Sequence, residues 1–73
     1  MTNAQLQDMY DDVYAYTEIL NDDALEILDE VVTELGVESI YDDWLDDEDL
    51  PEEDAARLAE AFLKAAARCE GRC

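Results

Sequence analysis

Leu50-Pro51-Glu52-Glu53-Asp54-Ala55-Ala56-Arg57-Leu58-Ala59-Glu60-Ala61-Phe62-Leu63-Lys64-Ala65-Ala66-Ala67-Arg68-Cys69 reads as one long amphipathic helix. Proline sits in the first turn, where its missing N–H costs nothing, and three carboxylates follow at the positive end of the helix dipole. Ala55, Leu58, Ala59, Phe62, Leu63, Ala66 and Cys69 then recur at steps of three and four, one apolar face of a helix. Gly71 ends the run. The alanines let a neighbouring helix come close. A helix over 50–70 with such a face needs cover, and the rest of the chain supplies it in the same form.

Upstream, Leu6, Met9, Tyr10, Val13, Tyr16 or Thr17, and Leu20 mark a helix over 3–20. Thr2 can cap it, with Gln5 in capping-box position. Asn21-Asp22-Asp23 breaks this helix and caps the next, over 23–35. There Leu25, Leu28, Val31, Val32 and Leu35 form the apolar face, with Ile27 to the side. Gly36 stands where a left-handed residue ends a helix. Ile40/Trp44 and Tyr41/Leu45 are i, i+4 pairs that suit a short helix over 38–46, capped by Ser39 or entered from Val37. A strand at 37–41 would lack a partner. The pattern predicts an all-α fold, a single domain over 1–73, built as a small bundle of three main helices plus one short helix.

Charge is the second feature. Acids outnumber bases 22 to 4, for a net charge of -18. Arg57, Lys64, Arg68 and Arg72 are the only bases, so residues 1–56 hold none. That segment cannot pair its own side chains. Self-repulsion opposes the compact state, and added salt relieves it. Such a surface repels nucleic acid and anionic membranes and attracts basic proteins. The first residues show neither the basic nor the apolar region of a secretory signal, and no apolar run approaches a membrane span. The expected location is cytoplasmic.

Catalytic chemistry has little to work with. The chain has no His, one Ser (Ser39) and one Lys (Lys64), which leaves no nucleophile–base pair. Carboxylate pairs would need burial to separate their acidities, and nearly every acid falls on an exposed face. The expectation is a non-enzyme without cofactor or metal. A calcium loop fails in both registers: from Asp43 the sixth position is Glu48 rather than Gly, and from Asp47 the fifth is Pro51. Cys69 and Cys73 lack the spacing and the histidines of a zinc site. They read as reduced thiols, with a disulfide left open.

Two resemblances bear on function. Leu35-Gly36-Val37-Glu38-Ser39-Ile40 resembles the segment of acyl carrier proteins that bears their phosphopantetheine serine, and Leu50-Pro51-Glu52-Glu53-Asp54 resembles a later segment of that family. The resemblance implies an arm on Ser39. The family has a long amphipathic helix between the two segments, for which 39–51 leaves too little chain. The other likeness covers the whole chain but consists of size, charge and composition. Small, strongly acidic proteins without catalytic residues resemble the DNA-mimic inhibitors of phages and mobile elements, including anti-CRISPR proteins, anti-restriction proteins and uracil-DNA glycosylase inhibitors.

The arrangement of acids fits the second likeness. Asp22, Glu26, Asp29, Glu30 and Glu34 follow one side of the second helix, and Asp8, Asp11, Asp12 and Glu18 do the same on the first, with Tyr14 among them. A helical turn rises about 5.4 Å, a step comparable to phosphate spacing along nucleic acid. Asp42, Asp43, Asp46, Asp47, Glu48 and Asp49 form a further run around Trp44. Trp44 suits core packing and also counts among the expected contact residues, since aromatics dominate interfaces. The expected partner-binding set is Asp42, Asp43, Trp44, Asp46, Asp47, Glu48 and Asp49, with Asp22, Glu26, Asp29 and Glu30. The expected partner is a basic nucleic-acid-binding protein, such as a CRISPR effector, a restriction enzyme or a DNA-repair enzyme. No nucleic acid would be bound directly. An acidic adaptor module, halophilic or otherwise, is the alternative, and a homodimer through the alanine-rich last helix stays open.

Overall fold

The computed structural model describes residues 3–46 and 49–72. In chain order these form α1 (Asn3–Ala15), α2 (Thr17–Leu20), α3 (Asp23–Leu35), α4 (Glu38–Leu45) and α5 (Glu52–Arg72). The fold is all-α, with no strand among the described residues. α5 is the organising element: α1 and α3 pack along it, and short α4 contacts both α3 and α5. Ala55, Leu58, Phe62, Ala65 and Cys69 of α5 are buried at alternating steps of three and four, the seam a helix presents to close neighbours. Leu6 and Val13 of α1 and Ile27, Leu28, Val31 and Val32 of α3 complete the core.

The helix expected over 3–20 is broken at Tyr16. Tyr16 N–H donates to Val13 O at 3.1 Å, a tightened i−3 turn. The Thr17 hydroxyl donates to Tyr14 O at 2.7 Å and so occupies a carbonyl that the helical ladder would use. The chain leaves α1 there, makes the single turn of α2, and reverses through Asn21 (φ 51°) and Asp22 (φ 70°). Asp22 caps α3 with its backbone carbonyl, which accepts from Leu25 and Glu26, and makes no side-chain cap. The expected break stands, and the expected cap is made by the backbone of Asp22.

The apolar face of α3 is turned from its expected position. Ala24 and Ile27 are buried beside Leu28, Val31 and Val32, whereas Leu25 and Leu35 are only partly covered. On α5, Leu63 lies on the outside at 59% exposure, and Ala61 and Ala65 take its place in the core. α5 also runs through Gly71 rather than ending there, and its first backbone bond is Ala55 N–H to Pro51 O at 2.9 Å.

Gly36 behaves as expected. Its φ is 69°, its N–H donates to Thr33 O at 3.2 Å, and Val37 N–H donates to Val32 O at 3.0 Å. These two bonds make a Schellman turn, and the accompanying apolar contact is supplied by buried Val37 and Val32. α4 is entered from Val37, whose carbonyl accepts from Tyr41 N–H. The expected cap at Thr2, and residues Asp47, Glu48 and Cys73, lie outside the described residues.

Candidate partner-binding surface

α4 is eight residues long, too short to hold itself in place. Aromatic packing fixes it. Phe62 on α5 meets Trp44 edge-on at 5.3 Å between ring centres, Tyr10 of α1 at 5.8 Å and Tyr41 of α4 at 6.0 Å. Tyr10 and Tyr41 also pack on Trp44, at 5.5 and 6.3 Å. These separations are those of favourable aromatic pairs. Trp44 is 8% exposed. It braces α4 and leaves little of its surface for a partner, in keeping with the core-packing role that its sequence position also suits. Tyr14, at 52% exposure, is the aromatic that the acid-rich face does present.

With α4 held this way, an open cleft forms between it and α3. Asp29, Glu30, Glu34, Glu38 and Asp42 line it, with Val32, Thr33 and Tyr41. Of the expected residues, the cleft gathers Asp29, Glu30 and Asp42. Glu34, visible in the acidic row of α3, and Glu38 join them because the Gly36 turn folds α4 back beside α3. The only trace of this in the sequence is the glycine set between the two glutamates. Glu38 accepts the Thr33 hydroxyl at 2.7 Å across that turn. Asp22, Glu26, Asp43, Asp46 and Asp49 are exposed but do not line the cleft.

Every described carboxylate lies outside the core. Three described acids have a cationic partner: Glu53 with Arg57, Glu60 with Lys64, and Glu34 with Arg68. No base is among the residues that line the cleft, and of its five carboxylates Glu34 alone has a described cationic partner, Arg68. Burial, then the neighbouring Tyr10, then the charges of Asp29 and Asp42, raise the Tyr41 phenol well above its ordinary range and keep it protonated. The wall of the cleft therefore holds a neutral phenol, beside the Thr33 hydroxyl, among acids.

The two acidic clusters differ in how they suit their helices. Glu52, Glu53 and Asp54 occupy the first turn of α5 and stabilise its positive end. Asp42, Asp43 and Asp46 occupy the last turn and C-cap of α4, where the helix dipole is already negative and the last turn holds no base. That placement costs stability. Among the described residues, no three carboxylates or cysteines converge into a group that could hold a metal ion. Ser39 is exposed in the first turn of α4, and the helix after it ends at Leu45. Among the described residues no helix is long and apolar enough to cross a membrane. No family model, curated protein or solved structure gives a significant match to this chain.

Proposed function

We propose that the protein is a non-enzymatic inhibitor whose α3–α4 face occupies the nucleic-acid-binding surface of a basic protein. The carrying observation is the set Asp42, Asp43 and Asp46 at the negative end of α4. Those carboxylates work against their own helix, so their use is external. Asp42 extends the set into the cleft with Asp29, Glu30 and Glu38. Arginines and lysines placed to grip successive phosphates would meet carboxylates on two neighbouring helices instead. Electrostatic steering makes such an association fast. The proposed target class is the one expected from charge and size: a CRISPR effector, a restriction enzyme or a DNA-repair enzyme, with anti-CRISPR action as the leading case.

Competition tests the proposal. The protein is bound to purified members of those three classes, and duplex DNA or guide RNA is added in excess. Displacement supports mimicry. Stable binding that excess nucleic acid does not disturb rejects mimicry and leaves an acidic adaptor.

A further inference from the structure

Ile19 and Leu63 are the two most exposed large apolar side chains among the described residues, at 66% and 59%. They come from different elements, α2 and α5, yet line one open groove. Ala15, Tyr16, Ala66 and Ala67 line it as well, and the exposed acids Asp12 and Glu70 give it an acidic rim. On α5 the lining positions are 63, 66, 67 and 70, the spacing of one face over two turns. Three alanines lining a groove between two exposed apolar side chains leave room for a helix to lie against it.

The charge around the groove selects the occupant. Arg57, Lys64 and Arg68 of α5 do not line it: Arg57 and Lys64 pair along α5, and Arg68 turns to Glu34 on α3. The rim is acidic and the chain carries -18. A second copy would bring the same acids against the same rim. Nor does the fold call for one, since its 4664 Å² of accessible surface is close to the roughly 4,600 Å² expected of a compact monomer of this mass. Nucleic acid and anionic membranes are repelled for the same reason.

We infer that this groove docks one cationic amphipathic helix of a partner protein, its apolar residues against Ile19 and Leu63 and its flanking lysines or arginines against Asp12 and Glu70. The site uses α1, α2 and α5, apart from the α3–α4 face, and does not depend on nucleic-acid mimicry.

The test uses the full chain with methyl labelling and a synthetic helical peptide of leucine and lysine. A peptide of the same composition in scrambled order controls for bulk charge. The amphipathic peptide is expected to bind about tenfold more tightly than the scrambled one and to shift the methyl signals of Ile19 and Leu63, an effect that persists in high salt. Ile19→Ser with Leu63→Ser should abolish the difference; both side chains are exposed, and circular dichroism confirms that the fold is kept. Equal affinity for both peptides would overturn the inference. So would methyl shifts confined to Val32 and Thr33 of the α3–α4 cleft, or a concentration-dependent dimer that covers Ile19 and Leu63.

Discussion

Arg68 Nη2 on α5 lies 2.6 Å from Glu34 Oε2 on α3, joining the only part of the chain that carries bases to the part that has none. Both side chains are about half exposed, at 43% and 59%, so the pair contributes about 0.5–1 kcal/mol. Arg68→Ala should lose that amount in urea unfolding at low salt and less in molar KCl. The intact protein should respond to salt in the opposite sense. Its net charge of -18 makes screening stabilising overall, and the urea midpoint should rise with KCl. A midpoint that falls would mean that the few ion pairs outweigh the repulsion.

Asp43→Lys and Asp46→Lys replace acids at the negative end of α4. Each should raise stability by about 0.3–1 kcal/mol. On the proposed function, each should also weaken binding to the basic target and flatten its salt dependence. Stability from thermal melts and affinity across a salt series are the measurements. Loss of the fold would instead show that these acids brace α4.

Tyr41 holds its proton in the folded protein above the ordinary phenol value of 10.0, chiefly because it is buried. An unfolded chain gives that proton up near pH 10. The stabilisation is therefore complete below that pH and is lost as pH rises beyond it. Thermal midpoints of Tyr41→Phe should decline less over the alkaline range than those of the native protein. Parallel declines would assign the alkaline loss to other groups.

Gly36 has φ 69° with no atom within 4 Å of where a Cβ would stand. Alanine would meet no clash, so its cost is backbone strain alone, about 1 kcal/mol. Chemical denaturation of Gly36→Ala measures it. A cost well above this would mean that the Schellman turn also sets the position of α4.

The long helices were legible because their apolar residues recur at the helical period, and residues such as Leu28, Val31, Leu58 and Phe62 are fully buried as that period requires. The edges of each apolar stripe were not. On α3 the small Ala24 carries a core position, whereas the periodicity points to the larger Leu25 beside it. On α5 the same exchange occurred between Leu63 and Ala65. Size misleads where two helices approach closely, because alanine is then the residue that fits. The break at Tyr16 is accompanied by a threonine hydroxyl reaching back to Tyr14, a local bond that periodicity does not register. The acids of the candidate site were visible one by one. Their grouping was not, because it depends on the turn at Gly36 and on aromatic contacts between residues as far apart as Tyr10 and Phe62.

α5 is both the helix that covers α1 and α3 and the carrier of the bases. Ribosomes deliver it after everything it must cover. Until then residues 1–56 hold many acids and no base, and repulsion among them opposes collapse. At about 5–20 residues per second, α5 takes on the order of 1–4 s to emerge. For that interval the protein depends on its own charge to stay clear of neighbours. The acidity proposed to suit the finished surface to a basic partner also opposes collapse of residues 1–56 before the helix that covers them has arrived.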